Sequence, residues 1–278
     1  MGLFDAYSYS GKRVVVVGGA TGMGAAAAEL VKDGGAEVVV LDRAPVTLEG
    51  VTAIPLDLSD KASIDAAVDQ VGGPIDVLLS CAGVADGTPG IERINFIGHR
   101  RFIDRALAQD LMPRGSAIGM ISSAAGLGWQ SNLDLILDYL KITDFDEAAQ
   151  WCVDNNRANY TWSKQTINCY VAQEAMPLLK RGIRINAILP GPTNTPLAQA
   201  NAEQWLGFGA DYREEVGIEA STPLEQAYPL VFLCSDAAAG VNGITMVTDA
   251  GFVGAGVSKT YESATLAVDF LTGKYGPI

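Results

Sequence analysis

Tyr160 and Lys164 stand four residues apart in the stretch Tyr160-Thr161-Trp162-Ser163-Lys164. Residues at this spacing share one face of a helix. A phenol is a poor acid or base at neutral pH, because its ordinary pKa is about 10. A nearby ammonium favours the phenolate and lowers that value. The pair is therefore a workable general acid/base unit for an oxygen that must gain or lose a proton. A second constellation lies near the start of the chain. Gly18, Gly22 and Gly24 follow a run of four valines at residues 14–17 and precede an alanine-rich stretch at residues 25–31. The valines suit a strand buried on both faces of a sheet, and the alanines suit a helix. Glycine permits a sharp strand-to-helix turn and a close approach of backbone to ligand. The free N–H groups and positive dipole end of the helix that follows can seat a pyrophosphate.

Composition sets the frame in which these residues act. The chain has 278 residues, of which 49% are hydrophobic and 18% charged, as in a globular chain rather than a disordered one. One domain spanning residues 1–278 is the economical reading. A formal net charge of −13 argues against nucleic acid or an anionic membrane surface as partner. A dinucleotide would have to be held by local backbone dipoles. Cys81, Cys152, Cys169 and Cys234 form no CxxC pair and read as reduced thiols of a cytoplasmic protein. His99 is the single histidine, which disfavours a histidine metal site or a Ser-His-Asp triad; no metal is expected. No apolar run reaches the roughly 20 residues of a membrane span, and residues 1–10 lack the pattern of a signal peptide.

Strand and helix patterns alternate along the chain, as in an α/β fold with a parallel sheet. Residues 37–41 read as the second strand, ending at Asp42. An acidic residue about 20 positions past the glycines can accept both ribose hydroxyls and repels a 2′-phosphate. Asp42 therefore favours NAD over NADP, and Arg43 beside it softens that preference. Residues 51–58 read as the third strand, residues 61–71 as a helix with Ile64, Ala67, Val68 and Val71 on one face, and residues 75–79 as the fourth strand. Residues 91–112 read as one long helix carrying Asn95 and His99, the latter taken as structural. Residues 117–121 form the fifth strand, and residues 185–189 and 243–247 the last two.

These motifs, in this order, resemble those of the short-chain dehydrogenase/reductase family. Gly18-x-x-x-Gly22-x-Gly24 matches its glycine turn, although Val17 stands where that family often has Thr. The resemblance implies a Rossmann-type doubly wound sheet of about seven parallel strands. It places NAD against Gly18, Thr21, Gly22, Met23 and Gly24, and against Asp42 and Arg43. Asp57, with Leu58, would meet the adenine amino group. Cys81, Ala82 and Gly83 would let the backbone pass the adenine ribose, although the family usually shows Asn-Asn-Ala-Gly where this chain has Ser80-Cys81-Ala82-Gly83. Pro190, Thr193 and Thr195 would hold the nicotinamide end together with Tyr160 and Lys164. The implied catalytic set is Ser123, Tyr160, Lys164 and Asn95, with Ser122 a near miss. Ser123 orients the substrate oxygen, Tyr160 exchanges its proton, Lys164 lowers the Tyr160 pKa and binds the nicotinamide ribose, and Asn95 holds a water in a proton relay.

The chain departs from the usual family pattern between Ser123 and Tyr160, where residues 127–159 intervene. Leu133, Ile136, Leu137 and Leu140 mark one helical face. Asp144 and Glu147 mark the start of a second helix, with Phe145, Ala148, Ala149 and Cys152 on its apolar side. This helical insertion either roofs the substrate pocket or packs on a neighbouring subunit. Residues 192–222 form the expected substrate loop, whose Leu197, Trp205, Leu206, Phe208 and Tyr212 point to an apolar substrate. In the tail, residues 252–278, a helical face of Ala264, Ala267, Val268 and Leu271 stops at Gly273. It would reach across an oligomer interface or over the substrate mouth. The resemblance narrows to the branch of bacterial 3α-hydroxysteroid dehydrogenase/carbonyl reductases and coniferyl-alcohol dehydrogenases. The expected function is NAD-dependent interconversion of a bulky hydrophobic alcohol and its carbonyl, by a homodimer or homotetramer. The alternatives are an NADP-dependent carbonyl reductase and a catalytically silent dinucleotide-binding regulator.

Overall fold

The computed structural model describes residues 2–274. Its strands are β1 (Arg13–Val17), β2 (Glu37–Asp42), β3 (Thr52–Pro55), β4 (Val77–Ser80), β5 (Ala117–Ile121), β6 (Arg184–Pro190) and β7 (Thr245–Thr248). They form one parallel sheet in the order β3-β2-β1-β4-β5-β6-β7. Apart from Arg13, every residue of β1, β4 and β5 is buried, as the apolar runs require of strands covered on both faces. Helices α1 (Gly22–Asp33) and α10 (Pro223–Cys234) lie on one face, where Ala27, Ala28 and Leu230 meet Val14 and Val16. Helices α2 (Lys61–Val71), α3 (Gly98–Ala108) and α6 (Tyr160–Lys180) cover the other. The chain order reverses between β1 and β4, so a crevice opens beyond their carboxyl ends, where ligands of such sheets bind.

The helix expected over residues 91–112 is shorter and less regular than its pattern implied. It begins at residue 91, widens into a π-helical turn at Arg93–Ile97, and ends at Ala108. Asp110 turns left-handed at φ 53°, and the Leu111 carbonyl is taken by the Ile75 N–H at 2.7 Å. The third strand likewise stops at Pro55, because Asp57 folds back to accept the N–H and hydroxyl of Ser59 at 2.8 and 2.6 Å. Local patterning does not register such terminations, which depend on neighbours distant in sequence or on a single side-chain bond.

The insertion before Tyr160 forms α4 (Leu133–Leu140) and α5 (Phe145–Asp154). Asp144 caps α5 by accepting the N–H groups of Asp146 and Glu147 at 2.9 and 3.1 Å. Phe145, Ala148, Ala149 and Cys152 are buried as the periodicity demands. These helices do not roof the substrate pocket. Their apolar faces close on the outer sides of α6 and of the π turn, through an aromatic cluster. The Tyr139 ring lies 4.9 Å from Trp151 and 5.7 Å from Trp162, and Phe96 lies 5.5 Å from Tyr170. Arg100 of α3 donates to the Leu140 and Ile142 carbonyls, each at 2.8 Å, and so closes the end of α4. Beyond β6 come three short helices, α7 (Pro196–Gln199), α8 (Ala202–Trp205) and α9 (Ala210–Val216), and after β7 come α11 (Phe252–Ser258) and α12 (Glu262–Leu271). Among the described residues no helix is long and apolar enough to cross a membrane.

The aromatic cluster should hold the insertion in place. Tyr139→Ala is expected to lower unfolding free energy by about 3–5 kcal/mol, read by chemical denaturation. A loss below about 1 kcal/mol would show that the ring does not anchor α4.

Candidate active site

The site begins at the glycine turn. Gly18 has φ +83°, and a Cβ there would strike the backbone of Ala82 in the loop just beyond β4. The two loops therefore touch because both residues are small. A Cβ on Gly24 would likewise strike the Gly18 carbonyl. Thr21 stands at the N-cap of α1, yet its side chain does not cap the helix, so that helix end is left to a ligand. Asp42 accepts the Ala20 and Ala44 N–H groups, both at 2.9 Å, and so ties the glycine turn to the end of β2. Around this turn runs a groove lined by Gly18, Thr21, Gly22, Met23, Gly24, Asp42, Arg43, Asp57, Leu58, Cys81, Ala82, Gly83 and Thr195. The bonds from Ser59 hold the Asp57 carboxyl below the usual range, so it stays an anionic acceptor. The cradle of small residues, the uncapped helix end and the carboxylate at β2 fit a dinucleotide.

His99 and the cysteines support the groove without lining up for chemistry. Burial pushes His99 down to about 4. Its Nε2 lies 3.0 Å from the Ala82 carbonyl, an acceptor, so Nε2 carries the proton and braces the loop. Burial raises the Cys81 thiol far above neutrality, which leaves it a packing residue.

The groove continues into a second pocket that shares Met23, Cys81, Gly83, Thr195 and Leu197 with it. Ser123, Tyr160, Lys164, Pro190 and Thr193 line this pocket. Ser123 sits just past β5, where its Oγ accepts the Ala125 N–H at 3.2 Å. Tyr160 is the first residue of α6, whose N-cap Asn159 accepts the Trp162 N–H at 2.9 Å. The buried Lys164 ammonium lies 5.3 Å from the Tyr160 ring centre and donates to the Ile121 carbonyl at 2.9 Å. Ser122, the neighbouring serine, also borders the pocket, but its hydroxyl is spent on the Lys164 carbonyl, to which it donates at 3.1 Å. Thr195 accepts the Ala198 N–H at 3.1 Å, which caps α7 and leaves its hydroxyl proton free to donate.

Burial dominates the proton chemistry. It raises Tyr160 to about 12, against the pull of a hydrogen bond with Ser123, and the Asp86 carboxylate raises it further. Burial also lowers Lys164 to about 8. The protein by itself thus keeps Tyr160 a phenol, and the Lys164 charge does not offset the desolvation. Asn95 is wholly buried in the π turn. Its Oδ1 accepts the Val84 N–H at 2.8 Å, and its Nδ2 donates to the Val84 carbonyl at 3.0 Å and to Ser163 Oγ at 3.3 Å. Asn95 Oδ1 and Lys164 Nζ both lie within 4 Å of where a Cβ on Gly83 would stand.

Of the five apolar residues singled out in the substrate loop, Leu197, Trp205 and Phe208 line the pocket. The Trp205 ring lies 5.0 Å from that of Tyr160. Tyr212 packs instead on Phe252 at 5.5 Å and donates to the Ala250 carbonyl at 3.1 Å. Asp86 and Leu271 also line the pocket; Leu271 answers to the expectation that the tail helix reaches over the substrate mouth, whereas Asp86 was not legible in the sequence. Asp86 accepts the Tyr160 N–H at 2.7 Å, a helix cap supplied from 74 residues away.

Comparison with known proteins places this geometry. Residues 12–128 match the family model for short chain dehydrogenase, and residues 143–253 match a model described as enoyl-(acyl carrier protein) reductase. The chain belongs to the short-chain dehydrogenase family and is an oxidoreductase. It is 28% identical to a Pseudomonas coniferyl-alcohol dehydrogenase, over 86% of this chain and 96% of that one. It is 27% identical to the 3-alpha-hydroxysteroid dehydrogenase/carbonyl reductase of Comamonas testosteroni, over 86% and 95%. Among solved structures, the 3-alpha-hydroxysteroid dehydrogenase of Pseudomonas sp. B-0831 complexed with NADH superposes with a TM-score of 0.73 at 26% identity, covering 90% of this chain and all (100%) of that one.

The Asp86 charge disfavours the Tyr160 phenolate, so removing it should lower the Tyr160 pKa. Asp86→Asn, which keeps an oxygen acceptor for the helix end, is expected to move the rise of alcohol oxidation to lower pH. The check is the pH profile of kcat/KM; an unmoved profile would remove the coupling.

Proposed function

We propose that the protein is an NAD-dependent oxidoreductase that interconverts a bulky hydrophobic secondary or aryl alcohol and its carbonyl. The observation that carries this reading is the convergence of Ser123, Tyr160 and Lys164 where the nucleotide groove joins an apolar pocket. The nicotinamide, when bound, supplies the hydride acceptor or donor. Tyr160 exchanges the proton with the substrate oxygen, and Ser123 hydrogen-bonds that oxygen and orients it. Lys164 would hold the nicotinamide ribose, and its charge favours the phenolate form of Tyr160. The lone pair left on Asn95 Oδ1 beside the Val84 N–H can hold a water next to Lys164, and such a water would pass the proton on towards solvent. The apolar walls Leu197, Trp205 and Phe208 support the hydrophobic substrate, as do the activities named for the hydroxysteroid and coniferyl-alcohol relatives.

Asp42 supports NAD, since its remaining lone pairs suit ribose hydroxyls and its charge opposes a 2′-phosphate. Arg43 lines the same groove and is the feature that favours the NADP-dependent carbonyl reductase as second reading.

Tyr160→Phe is expected to lose roughly 10²–10⁴-fold in turnover while keeping NADH affinity, measured by cofactor absorbance and by NADH fluorescence. Near-normal turnover would take the proton-transfer role from Tyr160. Asp42→Ala should bring the affinities for NADH and NADPH closer together; an unchanged ratio would place the discrimination elsewhere.

A further inference from the structure

We infer that Leu271, the last residue of α12, is a specificity-determining residue that sets how wide a ring the pocket accepts beside the reacting carbon. This rests on the alcohol–carbonyl reading above and extends it to the shape of the substrate. The larger apolar side chains beyond the sheet edge come to the pocket from two separate segments. Leu197, Trp205 and Phe208 come from the residues 192–222 loop, and Leu271 comes from α12.

The placement of α12 is held from two sides. On one side Ala264 and Val268 are buried against α11, where Gly256 leaves room for them; a Cβ on Gly256 would strike the Ala264 carbonyl and the Val268 side chain. On the other side Gly128, at φ +73°, lies so close that a Cβ there would strike the Leu271 carbonyl and Thr272. Ser131 Oγ donates to the Thr272 carbonyl at 3.2 Å. Both of these groups follow Ser123 closely in the chain. The segment that carries the serine therefore also seats the helix end that carries Leu271. Gly273, at φ +75°, ends the helix directly after this contact. Leu271 is thus a fixed, branched aliphatic wall, registered to the same loop that positions Ser123. A fixed wall discriminates by size, because side chains in packed interfaces do not yield without cost.

The ligand class this wall fits is an uncharged cyclic ketone or alcohol, and the test uses cyclohexanone and 1-decalone as probes. Each is titrated calorimetrically into protein saturated with NAD, where no hydride is available and only binding is read. Leu271→Ala should weaken cyclohexanone about tenfold through lost apolar contact. It should also shift the affinity ratio at least tenfold towards the wider decalone. Leu271→Trp should shift the ratio the opposite way, and Leu271→Met, of similar volume, should keep the wild-type ratio. Leu266→Ala alters the same helix at a residue 56% exposed and should change nothing. A ratio that moves less than twofold in both the Ala and Trp variants overturns the proposal. So does an equal shift in Leu266→Ala, or failure of both ketones to bind the wild type. Turnover of the corresponding alcohols is measured in parallel. Turnover without a Leu271 effect defeats only the wall, whereas Leu271-dependent binding without turnover defeats only the redox reading.

Discussion

Lys164 places an ammonium in the interior and satisfies it with a main-chain oxygen, the Ile121 carbonyl at 2.9 Å. Burying a charge costs free energy unless it is well hydrogen-bonded, and here burial lowers its pKa to about 8. The surrounding structure follows from keeping that group in place. The segment after β5 is clamped to α6 by Ser122 Oγ on the Lys164 carbonyl at 3.1 Å and by Asn168 Nδ2 on the Gly126 carbonyl at 2.8 Å. Gly126 must be glycine for this contact, since a Cβ would come within 2.8 Å of the Lys164 carbonyl oxygen. The same clamp sets Ser123 against Tyr160, so the site's spacing is a consequence of how tightly one loop meets one helix.

The insertion stiffens α6 from outside. Trp162, two residues past Tyr160, stacks at 5.6 Å on Trp151 and faces Tyr139. Phe96, inside the π turn beside Asn95, joins the same cluster. Aromatic contacts of this kind contribute beyond their buried area. The helices 133–140 and 145–154 therefore act on the site through the elements they hold, and the pocket's own walls come from elsewhere in the chain.

Electrostatics in the site run against intuition drawn from the Tyr–Lys spacing. That spacing invites a lowered tyrosine pKa, yet desolvation and Asp86 hold Tyr160 at about 12. A neutral phenol is the form that gives a proton to a developing alkoxide. The opposite direction requires positive charge brought close and water excluded, which strengthens every charge interaction inside.

The sequence alone determined what short-range chemistry can encode. The valine run, the glycines, the Asp144 cap and the 3.6-residue periodicity of residues 61–71 and 145–152 each specify a local conformation through steric or hydrogen-bonding rules that act within a few residues. The order of those pieces, with Tyr160 four before Lys164, was enough to read an α/β sheet and the residues that meet at its edge. Tertiary structure decided the rest. Asp86 caps a helix far along the chain, Asn95 spends its amide on Val84, the insertion turns its apolar faces towards Trp162 instead of the pocket, and Leu271 reaches the site from the last described helix. Periodicity marks the apolar faces of the insertion and of the tail helix but not what they meet, because each of these is a contact between distant segments whose partner is chosen only when the sheet and its helices close.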